Sequence, residues 1–335
     1  MKQIERDVAT KEDFIQSINK SCSLSHTRFF CKIDTYLKNL VNNVNRFGEV
    51  VTETKPNDIP FVRQMDKQAQ LMIPILPKAN SIDNLRLTLV QSVNTYSEDI
   101  RGCTILPEGR MVFSCYYPGY VTVVNQDGSK DFRIDSGHSF DVINIKDNNV
   151  AVTSVFFVPH IKITDIKLKK VTKTMHVGSS NDGLALKDKN LIYCGRGKGL
   201  KKINLSDNSV SPITNSKLSD SSYVTTFIDS IIFTDPGTNI VTCASMQGQV
   251  NWKFKDESLL KCPLGISVDN AGNVYVIGRD SCNVIVISPD GQRHRQILSG
   301  KEGLKIPSVL HYDLVTNKLL VSNLRGNAFL YDVSQ

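Results

Sequence analysis

Six times between residues 110 and 323 a short apolar block is followed by a turn. The blocks are MVFSC (111–115), VAVTS (150–154), LIYCG (191–195), IIFTD (231–235), VYVIG (274–278) and LLVSN (319–323). They recur at intervals of about 40 residues, the length of one four-stranded propeller blade. Each is preceded by a first strand: CTILPEG, VINIKDN, LALKDK, TTFID, ISVDNAG and LHYDLVTN. Each is followed by a third: YVTVVNQDG, IKITDIK, LKKINLSD, IVTCASMQG, NVIVISPDG and AFLYDV. Val, Ile, Tyr and Phe dominate the blocks and Gly, Asn, Asp and Pro separate them, as strands and turns require. The fold class expected is mainly β: a six-bladed β-propeller.

The sixth unit stops at residue 333, before a fourth strand. The segment LRLTLVQSV (85–93) lies ahead of the first unit without a partner of its own. It is expected to complete the last blade, because closure from both termini removes the exposed edges that invite aggregation.

Residues 1–54 read differently. Apolar residues from Ile4 to Val51 recur at steps of three and four, allowing for doubled steps, with Gly48 the only helix breaker before Pro56. That narrow strip predicts a long helix packed on another chain as a coiled coil. Residues 55–84, with Pro56, Pro60, Pro74 and Pro77, are expected to form a linker holding a short helix over 61–72. The propeller then spans 85–335.

The chain has 335 residues, 40% of them hydrophobic and 22% charged, with net charge +7. No apolar run approaches the roughly 18 residues of a membrane span. The first residues, MKQIERDVATKEDF, lack the apolar core of a signal peptide. The eight cysteines form no CxxC pair, and Cys22, His26 and Cys31 read as helix positions rather than metal ligands. A cytoplasmic protein without membrane contact, metal or cofactor is expected.

The stretch PLGISVDNAGNVYVIG (263–278), followed after four residues by NVIVISPDG, resembles the NHL repeat. A long helix, a linker and a six-bladed ring in that order resemble the C-terminal part of the tripartite-motif (TRIM-NHL) family. IRGCTILPEGRMVFS, LIYCGRGKGLKKI and FKDESLL are similar to bivalve members of that family. The resemblance implies self-association through the N-terminal helix and a propeller that recognises a partner. Members with a RING domain are ubiquitin ligases, of which such a propeller is the substrate-reading part. The Cys/His patterns of the RING and B-box are not in this sequence, so the chain is expected to be a non-catalytic adaptor.

Candidate ligand residues sit in the loops between second and third strands. They are Tyr116, Tyr117 and Tyr120 in the first unit, Phe156, Phe157 and His160 in the second, Arg196 and Lys198 in the third, Arg279 in the fifth and Arg325 in the sixth. Aromatic rings beside cations suit a protein partner, and they also suit single-stranded RNA, whose bases stack and whose phosphates need charge. GRGKG (195–199) lacks the strand-to-helix setting of a phosphate loop and reads as a turn. Lys167, Lys169, Lys170 and Lys173 read as a solvated outer edge. A third reading is a calcium-dependent lactonase-like enzyme. It needs inward carboxylates and amides on the first strands, where this chain carries mostly apolar or small residues.

Overall fold

The computed structural model describes residues 27–32, 49–54, 82–146, 148–154 and 158–334. The chain divides into two units, Met1–Ala79 and Asn80–Gln335. In the first, strands β1 (Thr27–Lys32) and β2 (Glu49–Thr54) pair antiparallel, from Thr27 opposite Thr54 to Lys32 opposite Glu49. This corrects the expectation of an unbroken helix over 1–54 for those two segments. TRFFCK and EVVTET are rich in aromatic, β-branched and Thr residues, which lose rotamer freedom in a helix and suit a pleated strand. The rest of the expected helix, and the linker with its short helix, lie outside the described residues.

The second unit is a ring of six antiparallel four-stranded sheets. After β3 (Arg86–Asn94), blade one is β4 (Ile100–Ile105), β5 (Met111–Cys115), β6 (Tyr120–Val124) and β7 (Lys130–Asp135). Blade two is β8 (Ser139–Lys146), β9 (Asn149–Ser154), β10 (His160–Asp165) and β11 (Lys170–His176). Blade three is β12 (Leu184–Lys187), β13 (Asn190–Cys194), β14 (Leu200–Asn204) and β15 (Val210–Pro212). Blade four is β16 (Val224–Phe227), β17 (Ser230–Asp235), β18 (Ile240–Ser245) and β19 (Val250–Phe254). Blade five is β20 (Pro263–Val268), β21 (Val274–Gly278), β22 (Asn283–Ile287) and β23 (His294–Leu298). Blade six is β24 (Pro307–Asp313), β25 (Lys318–Asn323), β26 (Asn327–Ser334) and, from the other end of the unit, β3.

The predicted closure is therefore present. β3 pairs with β26 from Asn94 opposite Asn327 to Arg86 opposite Ser334. Its lead-in is anchored as well. Ile82 and Leu85 are buried, and the Arg295 guanidinium on blade five donates to the carbonyls of Asp83 and Leu85.

The second strands of the blades are buried except at some ends, and they include Phe113, Tyr193 and Tyr275. Neighbouring blades meet through hydroxyls as well as apolar surface. Ser114 donates to the Phe140 carbonyl at 2.7 Å, Thr153 to that of Asp182 at 2.8 Å and Thr234 to that of Leu264 at 3.0 Å. Each such bond contributes about 1 kcal/mol and saves a buried carbonyl from being left unpaired.

Around the axis, alternate blades approach through glycine. A Cβ on Gly102 would lie 2.5 Å from the Val142 nitrogen, one on Gly183 2.4 Å from the Tyr223 Cα, and one on Gly265 2.6 Å from the Val309 Cα. Blades one, three and five thus meet their successors backbone to backbone. Phe140 on β8 and Tyr223 just before β16 pack on each other, with ring centroids 5.3 Å apart.

Candidate functional site

Loops that join second to third strands share one face, here the upper face, with the connections between blades. Backbone bonds tie the two sets together. Tyr116 N donates to Asp99 O at 2.9 Å, Leu218 N to Arg196 O at 3.1 Å and Arg279 N to Cys262 O at 3.1 Å. This face carries the sequence-predicted residues, and the structure distributes them as separate groups.

Tyr116 and Tyr117 form one group. Tyr117 is 68% exposed, and its ring stacks on His138 with centroids 6.0 Å apart. Tyr116 lies tilted against the same imidazole at 5.5 Å, with the Arg101 guanidinium 5.8 Å from its ring. Arg101 is itself paired with Asp99 at 2.7 Å. His138 and Arg101 belong to this patch and were not predicted. They come from an inter-blade connection and the inner strand β4, which loop-by-loop reading passes over.

Tyr120 opens β6 under the Arg133 guanidinium, 4.2 Å from the ring centroid, and both side chains donate to the Tyr96 carbonyl. His160 opens β10, with Nδ1 2.7 Å from the Val158 carbonyl and its ring edge-on to His176. Burial pushes its pKa down from the usual histidine value. Phe156 and Phe157 lie outside the described residues.

Arg196 is locked. Its Nε and Nη2 hold the Asp182 carboxylate at 2.9 to 3.1 Å, and Nη1 reaches Asp220 at 3.0 Å. Asp182 is fully buried and also accepts from Ser221 N at 2.8 Å. Burial pushes the Asp182 pKa up, and the bonds from Arg196 pull against it. Burial likewise works against the Arg196 charge, but the carboxylates outweigh it and hold the guanidinium protonated. GRGKG is a turn, as read: Arg196–Lys198 form a single 3-10 turn with Arg196 at φ +49. Arg279 is paired with Asp280 at 2.8 Å. Of the four predicted cations, Lys198 and Arg325 alone are exposed and make no ion pair among the described residues.

Beneath this face the axis is filled. Tyr223 is 3% exposed, donates its hydroxyl across the ring to the Arg101 carbonyl at 2.6 Å and packs on Phe140 with centroids 5.3 Å apart. Beside it Asp141 is buried. Its carboxylate accepts from Val142 N and Leu184 N, each at 2.8 Å. Burial pushes its pKa up to about 7, with the two amides opposing. Burial also holds the Cys103 thiol protonated, and the Asp141 charge adds to that.

Below that plug, Ile143, Asn144, Leu186, Thr226, Val268 and His311 help to line a cavity of about 300 Å³. Burial pushes the His311 pKa down to about 4, so the imidazole is neutral near pH 7. The apolar residues on the first strands were noted in the sequence. That they wall a cup closed by Tyr223 was not, since nothing in a sequence ranks residues by height in the channel. Among the described residues no three His, Cys, Asp or Glu side chains converge to hold a metal ion. None of the described helices is long and apolar enough to cross a membrane.

These features define a six-bladed β-propeller whose axis holds the buried Tyr223 beneath a loop-built upper face. No protein-family model matches the sequence, and no curated protein is similar to it. Solved structures are similar in fold. A structural-genomics protein of unknown function from Bacteroides thetaiotaomicron VPI-5482 superposes with a TM-score of 0.63 at 12% identity, covering 75% of this chain and 76% of that one. A streptogramin B lyase gives 0.57 at 12% identity, covering 75% of this chain and 99% of that one. Virginiamycin B lyase from Staphylococcus aureus gives 0.53 at 15% identity, covering 73% and 88%. At these identities the likeness is one of fold alone.

Proposed function

We propose that this chain is a non-catalytic recognition protein whose upper face binds a protein partner. One observation carries the reading. The face presents exposed aromatic surface on fixed backbone, while Arg101, Arg196 and Arg279 are each already neutralised by a neighbouring carboxylate. Rigid Tyr surface with pre-paired Arg is the composition of protein interfaces, where aromatic anchors carry most of the binding energy. The buried Tyr223, bonded across the ring to the Arg101 carbonyl, supports a binding rather than a catalytic role, because it occupies the axis beneath this face. The adaptor role and a link to a tripartite-motif ligase rest on the sequence resemblance. Self-association through the first unit rests on the helical pattern outside the described residues.

Single-stranded RNA is the second reading, favoured by Lys198, Arg325 and Tyr117 at the surface. The two readings separate in a fluorescence titration with a random single-stranded RNA pool. The protein reading predicts weak binding by the wild-type chain. It also predicts a gain of several-fold in Asp220→Ala/Asp280→Ala, which removes two carboxylates from the face and frees Arg279 for phosphate, with Arg196 still held by Asp182. Submicromolar wild-type binding that falls steeply with salt and is lost in Arg196→Ala would overturn it.

A further inference from the structure

The charge of this protein is concentrated in two blades. Residues 139–212, blades two and three, hold twelve Lys and Arg against six Asp and no Glu, a net +6 of the chain's +7. The other residues are close to balance. Arg196 is neutralised on the upper face, as described, so the field comes from lysines. Five of the eleven lie toward the other face. Lys167, Lys169, Lys170, Lys187 and Lys189 lie in or beside the β10–β11 and β12–β13 turns, which share the lower face.

Hydrogen bonds make these turns one surface. Ile166 N donates to Asn148 O at 2.9 Å, binding the two turns of blade two. Lys173 Nζ donates to Leu205 O at 2.9 Å, and Leu205 N donates to Lys189 O at 2.9 Å, binding blade two to blade three. Lys167, Lys169, Lys170 and Lys189 are exposed, and none of the five turn lysines has a carboxylate partner among the described residues. The acids nearby are Asp165, which accepts from Leu168 N at 2.7 Å to hold the turn, Asp188, Asp207 in the β14–β15 turn, where it accepts from Ser209 N, and Glu108, which lies beside Asn148 and is paired with Arg110. At the tip of the β10–β11 turn, flanked by Lys167 and Lys169, Leu168 is 59% exposed.

We propose that this lower edge of blades two and three docks on an anionic lipid surface, with Leu168 entering at headgroup level and the lysines on lipid phosphates and carboxylates. An aliphatic tip ringed by cations gains from both the apolar and the charged layers of a bilayer surface. A single strand of nucleic acid would need stacking platforms. The one ring the turn engages, Phe132, lies under Lys169 Nζ at 4.3 Å. Lysine rather than arginine also fits a delocalised field of headgroups better than bidentate recognition of one phosphate.

The test is co-sedimentation of the full chain with phosphatidylcholine vesicles, with and without about 30% phosphatidylserine, at low and high salt. Wild type is expected to bind the phosphatidylserine vesicles only, and less as salt rises. Lys167→Glu/Lys169→Glu/Lys170→Glu is expected to weaken binding on the order of 100-fold, given the contribution of each lysine near an anionic surface. Leu168→Ser is expected to weaken it roughly 10-fold through lost apolar burial, and it decides the matter alone if the triple variant fails to fold. Absence of wild-type binding to phosphatidylserine vesicles overturns the proposal. So does binding unchanged in both variants, or tighter binding to a single-stranded oligonucleotide than to the vesicles.

Discussion

Val93→Asp is expected to lower the melting temperature of the propeller by about 10 °C or more, while Thr88→Asn on the same strand leaves it within about 2 °C. Both positions lie on β3, the strand that closes the ring. Val93 is 1% exposed within the main core cluster, whereas Thr88 is exposed. A carboxylate at Val93 would be buried without a partner, at a cost of several kcal/mol. Because β3 is the fourth strand of blade six, the loss opens the ring at the blade where its two ends meet. A chain beginning at Thr95 should go further and show no cooperative thermal transition. Differential scanning calorimetry of the three proteins checks the series. Equal melting temperatures for Val93→Asp and wild type would mean that β3 does not hold the ring shut.

The second large effect is expected at Asp182. Asp182→Ala removes a fully buried carboxylate that holds Arg196 through three contacts and accepts from Ser221 N. Breaking a buried pair from one side costs about 3–5 kcal/mol where the remaining charge stays desolvated, and the lower end applies here because Arg196 is 29% exposed and keeps Asp220. That corresponds to a fall in melting temperature on the order of 10 °C for a domain of this size. Arg196→Ala should cost more, since it strands the fully buried Asp182 carboxylate with the bond from Ser221 N, whereas in Asp182→Ala the guanidinium is 29% exposed and keeps Asp220. Urea unfolding of the two variants gives the order directly. A smaller loss for Arg196→Ala than for Asp182→Ala would contradict the assignment of Arg196 as the charge that holds the buried Asp182 carboxylate.

The ring was legible because its signal is repeated and local. Each blade states a period-two pattern between turn residues, and six weak statements at one spacing make a strong one. The closing strand was legible by subtraction, as an unpaired apolar segment facing a blade one strand short. Thr27–Lys32 and Glu49–Thr54 were misjudged because steps of three and four, counted across gaps, also fit TRFFCK and EVVTET, whose composition favours strands. At the upper face, sequence found the loops but not their electrostatics. Arg196 meets Asp182 across 14 residues and Asp220 across 24, pairings that exist only once two inter-blade connections converge. Arg196 and Arg279 stand in the sequence as cations beside aromatic rings, and their pairing with Asp182, Asp220 and Asp280 reduces the field available to RNA. Tyr223 was not singled out, because its role comes from the glycine contact at Gly183 that sets the backbones against each other.

The most direct test of the central claim is quantitative affinity enrichment from a native cell extract, with and without ribonuclease. It uses the wild-type chain, Tyr117→Glu on the upper face and the Lys167→Glu/Lys169→Glu/Lys170→Glu variant on the lower edge. The account predicts at least one protein that wild type and the lower-edge variant retain equally, that Tyr117→Glu loses by about 10-fold or more as an interface anchor would, and that survives ribonuclease. Enrichment unaffected by Tyr117→Glu, or abolished by ribonuclease, would contradict it.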